Sequence, residues 1–374
     1  MQVFGVVLFT AIVGGLLSLA LLWVILYLAY KYKVFDPIGE RHVHTVDVPR
    51  LGGLAFVPAI LMSFGLAVVC APLLGAGSAF EGVDARTTWL VVAALVLMYI
   101  QGAADDLKNL DYKLKFLCQF LSAGILVYAG VRVDDFMGLF GFDALPLWAS
   151  IVFSFSVVVF IINALNLIDG IDGLSSGLIA VFSCLFGGLF IVSRDVVSLC
   201  LAVGAVGVVV PFYIFNVFGS SARRTKIFMG DCGSQSLGLL MAYFALRGWS
   251  YDTMPYNPLV YGFAILLVPS FDVVRVMAGR ILRGNHPFHA DKTHIHHKFL
   301  ALGFSHRAAR GAIIAMALCF YFLTIWLDRA VGVTWMVVVD VAVWCGLQSL
   351  LNFWLRQKGS TYFVEARKSN RKTT

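Results

Sequence analysis

The chain has 374 residues, 60% of them hydrophobic and only 13% charged, with a mean hydropathy of +0.87. Those values exclude an ordinary soluble globular domain, in which about a quarter of residues are charged. The net charge of +7 lies mainly in short polar connections and a basic C-terminal stretch; topology and attraction to anionic lipid account for it, and no nucleic-acid-binding signature accompanies it.

Apolar runs recur near residues 3–30, 53–75, 87–103, 116–131, 147–166, 173–192, 196–217, 234–248, 258–280, 311–328 and 332–355. Their lengths approach the ~20 residues that cross about 30 Å of hydrocarbon. The expected fold is therefore an all-α polytopic membrane protein of about eleven transmembrane helices, forming one domain over 1–374. The first run lacks a basic leading segment and exceeds the apolar core of a signal peptide, so it counts as a span.

Segments 31–50, 105–115, 220–229, 280–310 and 356–374 hold most of the 28 Lys and Arg residues. The opposite connections hold only Arg86, Arg132, Arg194, Arg247 and Arg329. The positive-inside rule then places the N-terminus outside and the C-terminus, with its basic 356–374 tail, in the cytoplasm. All 8 histidines fall in the connections assigned inside: His42, His44, His286, His289, His294, His296, His297 and His306. The 7 cysteines are scattered, with no disulfide framework or zinc spacing.

Along the chain, Asp105-Asp106 follows the third run, with Lys113 and Lys115 shortly after. Adjacent carboxylates at a membrane boundary suit a divalent cation, a proton transfer or a solvated helix end. Asn163-Ala-Leu-Asn166-Leu-Ile-Asp169-Gly-Ile-Asp172-Gly173 ends the fifth run with a polar residue at every third position. On a helix these side chains form a slowly drifting stripe, and placing them near hydrocarbon without partners is unfavourable. The plain alternative is a polar helix terminus broken by glycines.

Phe228-Met-Gly-Asp231-Cys-Gly-Ser-Gln opens the eighth run, with Asn216, Arg223, Arg224 and Lys226 upstream. An Asp in such a turn binds a metal or caps a helix. In His286-Pro-Phe-His289-Ala-Asp291-Lys-Thr-His294-Ile-His296-His297, the spacing differs from that of zinc proteases. Phosphate holding and proton transfer fit it better than a transition metal. Hard oxygen donors together with Lys and Arg suit Mg²⁺ or Mn²⁺ and a phosphate substrate, which points to phosphoryl transfer between a soluble diphosphate and a lipid.

A transporter is the competing class. Against it, only Asp272, Arg275 and Asp340 fall within the runs away from their ends, and Asp272 and Arg275 are spaced to pair with each other. A metal-dependent intramembrane hydrolase lacks its ligand-plus-base spacing.

Five stretches, in this order over about residues 35–310, resemble the polyprenyl-phosphate N-acetylhexosamine-1-phosphate transferase family. They are Pro49-Arg-Leu-Gly-Gly53, Asp105-Asp106 with Lys115, Asn163 through Leu174, Phe228 through Ser234, and His294-Ile-His-His297. The His-Ile-His-His form resembles the branch that primes O-antigen, enterobacterial common antigen or teichoic acid, whereas the MurNAc-pentapeptide branch, the alternative, shows three consecutive histidines.

The resemblance implies transfer of a sugar-1-phosphate, with GlcNAc as the default sugar, from a UDP-sugar to undecaprenyl phosphate in a bacterial inner membrane. The reaction would release UMP and use Mg²⁺. Asn166 and Asp231 would be metal ligands. Lys115 would hold a phosphate, with Arg50, Asp169, Asp172, Asn216 and Phe228 around the substrate. Asp105 and Asp106 would serve as base, nucleophile or metal ligands, and His294, His296 and His297 would stabilise the diphosphate or the leaving UMP. It also implies a homodimer. The basic stretch between Asn216 and Asp231 is longer than the common family form, which makes Asn216 the loosest of these assignments.

Overall fold

A computed structural model describes residues 2–35, 48–249, 257–286 and 293–359. His42, His44, His289, Asp291 and the tail beyond residue 359 lie outside the described residues. Helix α1 (Gln2–Tyr32) is followed by α2 (Phe56–Cys70), α3 (Ala85–Lys108) and α4 (Tyr112–Tyr128). A hairpin of β1 (Asp135–Leu139) and β2 (Phe142–Ala144) leads to α5 (Leu147–Leu167), α6 (Leu174–Ser193), α7 (Val196–Phe218) and α8 (Gly230–Trp249). The chain ends with α9 (Pro258–Ile281), the short α10 (Ile295–Ala301), α11 (His306–Val331) and α12 (Val333–Gln357).

Among the described residues, 9 helices are long and apolar enough to cross a membrane. The protein is a multi-pass helical membrane protein. The runs at 116–131 and 234–248 also fold as helices, α4 and α8, outside that group of nine. Helix α4 has 17 residues, and α8 opens on the polar sequence Gly-Asp-Cys-Gly-Ser-Gln.

One short hairpin is added to a fold that is otherwise all helical among the described residues, as expected. Its strands pair Asp135 with Ala144 and Leu139 with Phe142, and the reversal uses Gly138 and Gly141 at φ +81° and +79°. The Phe140 N–H donates to Thr334 Oγ1 (2.8 Å), which ties the hairpin to the first turn of α12.

Helix contacts follow small residues, as expected where lipid supplies no hydrophobic drive between helices. Along α1 and α7, Gly15 meets Gly207 and Gly207 lies against the Ala11 backbone, while Ser18 Oγ donates to the Val208 carbonyl (2.8 Å). Helix α8 is buried along most of its described length and packs on α3, α5, α6 and α9. Gly238 admits the α5 backbone at Ile162, and Gly102 of α3 lies against Cys232.

Exposed aromatics mark the bundle's outer surface. Trp148 and Trp335 sit in the first turns of α5 and α12, Trp89 in the second turn of α3, and Trp326 near the end of α11. All four lie at one end of the bundle, as in an interfacial aromatic belt. Asp105, Asp106 and Asp231 lie at the other end.

Gly53 shows how tight this packing is, since a Cβ there would stand 2.1 Å from Gly233 N. Gly53→Ala should therefore lower stability by about 1–3 kcal/mol or more, by overpacking. Gly65→Ala, with nothing within 4 Å of its added Cβ, should stay within ~0.5 kcal/mol. Thermal unfolding of both variants in detergent checks the contrast, and equal melting points would refute it.

Candidate active site

The site begins with the way α8 starts. Phe228 and Met229 pair with the segment before α2: Phe228 N–H donates to Pro49 O (2.9 Å), Gly52 N–H to Phe228 O (2.9 Å) and Gly53 N–H to Met229 O (2.8 Å). Gly230 then turns at φ +75°, a conformation glycine adopts without strain, beneath Arg50 O and the Asp106 carboxylate.

The first N–H groups of a helix lack intrahelical partners. Here Asp106 supplies them, accepting from Asp231 N (2.7 Å) and Cys232 N (3.0 Å). Both Asp106 oxygens are engaged, so this carboxylate joins α3 to α8 and fixes where Asp231 points.

Asp105 is 2% exposed. One of its oxygens accepts from Leu110 N (2.9 Å), and the other pairs with Lys115. The same ammonium reaches Asp231 at 3.4 Å, so Lys115 bridges two carboxylates from different helices. On the other side, Asn166 Nδ2 donates to Asp231 Oδ1 (2.9 Å) and Ser234 Oγ (2.8 Å), and the amide oxygen of Asn166 carries no hydrogen bond among the described residues. Asn163, one turn earlier, donates to Gln119 Oε1 (2.8 Å), extending the polar seam to α4.

The stripe expected from Asn163 to Asp172 is helical only at its start. Helix α5 ends at Leu167, and the connection turns through Gly170 and Gly173, the latter at φ +76°. Asp169 therefore leaves the helix and lines the cleft. Burial pushes its carboxyl up to about 7 against the pull of Arg50, and Asp231 and Asp172 add repulsion. Asp172 pairs with Lys226 (2.5 Å), and its carbonyl accepts from Arg310 (2.8 Å).

Asn216 differs from the expectation of a nucleotide contact. It is 5% exposed, its oxygen accepts from Gly173 N (2.6 Å) and its nitrogen donates to Ile227 O (2.9 Å). Both ends of the amide hold backbone, so Asn216 braces the wall behind the cleft. Phe228 is half-buried, with the Lys226 ammonium 5.8 Å from its ring centre.

The histidines arrive from α10 and the residue before it. A Cβ on Gly170 would lie 2.1 Å from His296 Nε2, so the imidazole fits only because that residue is glycine. His296 is 2% exposed, and neither ring nitrogen has a hydrogen-bond partner among the described residues. Burial, aided by the neighbouring His297 and His294, holds its pKa well below the ordinary value, so the ring is neutral near pH 7. The His297 ring lies 4.2 Å away.

His294 approaches Asp272 through Nδ1 at 2.9 Å, and Asp272 also accepts from Arg275 (2.7 Å) and Ile295 N (3.1 Å). The internal Asp272–Arg275 pair is present, but it also anchors the histidine segment. Asp272 is the residue the sequence undervalued. Its signal was a carboxylate inside a span, and such residues face partners rather than lipid. Lys298 is held by Gln348 (2.7 Å) and Asn352 (2.9 Å) of α12, and burial brings its amine down to about 7.

Chemically, the cleft offers carboxylate and amide oxygens at Asp231, Asp105 and Asn166, cations at Lys115, Arg50 and Lys226, and a neutral imidazole. Among the described residues no three His, Cys, Asp or Glu side chains form a ready-made metal cage. The oxygens of Asp231 and Asn166 nevertheless fit a hard cation such as Mg²⁺, which keeps waters and takes further ligands from a substrate phosphate.

Fold and site together define a helical integral membrane protein with carboxylate, amide, ammonium and imidazole side chains gathered at one end. The description glycosyl transferase family 4 belongs to a family model that matches residues 88–249. A Bacillus subtilis (strain 168) protein named probable undecaprenyl-phosphate N-acetylglucosaminyl 1-phosphate transferase is 32% identical over 311 residues, 81% of this chain and 80% of that one. The decaprenyl-phosphate N-acetylglucosaminephosphotransferase of Mycobacterium leprae (strain TN) is 32% identical over 72% of this chain and 70% of its own. The undecaprenyl-phosphate alpha-N-acetylglucosaminyl 1-phosphate transferase of Escherichia coli (strain K12) is 28% identical over 75% and 73%. The chain belongs to glycosyl transferase family 4.

Gly170→Ala should displace His296 and lower kcat by about 10²-fold, the loss expected when a reacting group moves by ~1 Å. Asp272→Asn should act in the same direction through His294. Steady-state kinetics on folded variants checks both, and unchanged kcat in Gly170→Ala would remove His296 from the site.

Proposed function

We propose that the protein transfers GlcNAc-1-phosphate from UDP-GlcNAc to undecaprenyl phosphate, releasing UMP, as the first step in building a cell-envelope polysaccharide. The arrangement that carries this reading is Asp231 at the buried start of α8, flanked by Asn166, Lys115 and Asp105. In the proposed orientation the chain crosses the membrane eleven times, with the N-terminus outside and the cleft facing the cytoplasm of a bacterial inner membrane. The placement of Lys and Arg and the supply of nucleotide sugar on that side support it.

A lipid monophosphate with a second pKa of about 6, by analogy with phosphorylated side chains, is mostly dianionic near neutrality. Its oxygen attacks the β-phosphorus directly. A P–O bond forms there as the bond to the bridging oxygen breaks, and that electron pair leaves with UMP. The protein's task is to bring two anions together and to hold the charge that develops on the leaving group.

Lys115 and Arg50 would meet phosphate oxygens, with Lys115 exchanging its carboxylate partners for substrate. Neutral His296 would donate its N–H to the diphosphate without needing a proton from solvent. Asp169 and Phe228 would border the nucleotide. Mg²⁺, with Mn²⁺ as a substitute, would be held by Asp231 and Asn166 and would supply neutralisation of the diphosphate charge.

Single displacement is preferred to a phospho-Asp105 intermediate, because Asp105 is nearly inaccessible and both its oxygens are engaged. Asp106 is similarly occupied as a helix cap.

Purified protein given UDP-GlcNAc, undecaprenyl phosphate and Mg²⁺ should release UMP and form a lipid-linked sugar. Chelation of divalent ions should stop turnover, and Asp231→Asn should lower kcat by at least about 10²-fold, as removal of a key electrostatic contact does. Near-wild-type UMP release by Asp231→Asn would defeat the metal assignment. No UMP from a panel of UDP-sugars would defeat the reaction itself.

A further inference from the structure

At the membrane face opposite the catalytic cleft, two cavities adjoin. One of about 330 Å³ is polar and lined by Glu81, Asp84, Thr88, Arg194, Asp195 and Arg247. The other, of about 640 Å³, is apolar and lined by Val3, Phe4, Val7, Phe190, Ile191 and Leu199, from α1, α6 and α7. Ala79, Arg194 and Val196 line both, so the two chambers form one amphipathic site with Arg194 at the junction. Both volumes lie in the range of about 300–1,000 Å³ typical of small-molecule sites.

The charges at the polar chamber decide what fits. Asp84 caps α3, accepting from Arg86 N (3.0 Å), Thr87 N (3.3 Å) and Thr87 Oγ1 (2.6 Å). Asp195 caps α7 through Ser198 N (3.0 Å), and it accepts from Ser198 Oγ (2.9 Å) and Arg247 (2.8 Å). That leaves one cation, Arg194, and two carboxylates, Glu81 and the capping Asp84, with no salt-bridge partner among the described residues, and of the two only Glu81 has its oxygens open.

The Arg194 backbone is fixed in place, while its side chain is exposed. It ends α6 in the left-handed region at φ +57°, and the following residue caps α7, so the backbone beneath the guanidinium belongs to two helices.

We propose that this two-chamber cavity binds a zwitterionic phospholipid, with its phosphodiester on Arg194, its ammonium on Glu81 and an acyl chain in the apolar chamber. A phosphodiester presents the paired oxygens that a guanidinium engages well. A headgroup that is only anionic meets the same Arg194 but also faces the unneutralised Glu81, so the site discriminates by charge pattern. The bound lipid bridges α1 to α6 and α7 at the end of the bundle away from the chemistry. By binding the folded state it stabilises the bundle.

The test uses the full-length protein in detergent, mixed with phosphatidylethanolamine or phosphatidylglycerol of identical acyl chains. Native mass spectrometry reads the retained lipid, and thermal unfolding reads its effect. Wild type should retain phosphatidylethanolamine preferentially and melt higher in its presence. Arg194→Glu and Val7→Trp should each retain about tenfold less, the change expected when one charged contact or the chain's volume is removed.

Arg132→Glu, a charge reversal at the same face outside both cavities, should retain lipid as wild type does, although it loses the Asp134 ion pair. UMP-releasing turnover by each variant reports that it is folded. Should Arg194→Glu fail that control, Val7→Trp and the comparison of the two lipids carry the test. Equal retention of both lipids by wild type, or undiminished retention by folded Arg194→Glu or Val7→Trp, would show ordinary annular lipid and overturn the proposal.

Discussion

A helix buried along most of its length still has to begin somewhere, and its first N–H groups need acceptors wherever that is. In this protein α8 begins inside the polar cleft, and the acceptor is a carboxylate from another helix, Asp106. That contact sets the height of α8 against α3 and therefore the position of Asp231. The close glycine contacts at Gly53, Gly102 and Gly230 follow from it, because the chain around a helix start held this deeply has no room for Cβ atoms. Without the cap, two buried donors would be unsatisfied and Asp231 would lose its fixed direction.

The same start explains how carboxylates can be gathered at one place. Asp231 sits at the positive end of the α8 dipole, which favours a negative group there. Asp105 lies close by, and Lys115 bridges the two. Such a balance is a resting arrangement suited to exchange. An incoming phosphate competes with the carboxylates for Lys115, and a divalent cation compensates the carboxylates that lose it. Asp105 is 2% exposed, and a charge so sequestered acts more strongly than it would in water.

Much of this was legible in the sequence. The apolar runs announced the helices because crossing hydrocarbon demands length and apolar character together. The grouping of Asp, Asn and His in connections assigned to one face announced the cleft. What remained hidden depends on direction. Asp105 and Asp106 read as equivalent neighbours, yet one faces Lys115 and the other faces the start of α8. Asn216 read as a polar residue near a substrate, whereas its amide closes two backbone gaps. Polar spacing along Asn163–Asp172 implied a continuing helix, but the two glycines end it and swing Asp169 into the cleft. Asp272 was obscure for another reason, since its partner His294 lies 22 residues away and only folding brings them together.

The two ends of the bundle solve different problems with the same constraint, that a polar group near hydrocarbon must have a partner. At the catalytic end partners are provided by neighbouring connections, and the atoms left open, the His296 ring nitrogens and the Asn166 oxygen, mark where a substrate or ion would complete the set. At the far end Asp84 and Asp195 are closed internally by capping, while Arg194 and Glu81 stand open beside an apolar cavity. Helix α8 links the ends, with Asp231 in its first turn and Arg247 in its last. Asp106 holds the first and Asp195 holds the second, so the helix that carries the metal candidate is pinned by a carboxylate at both membrane faces.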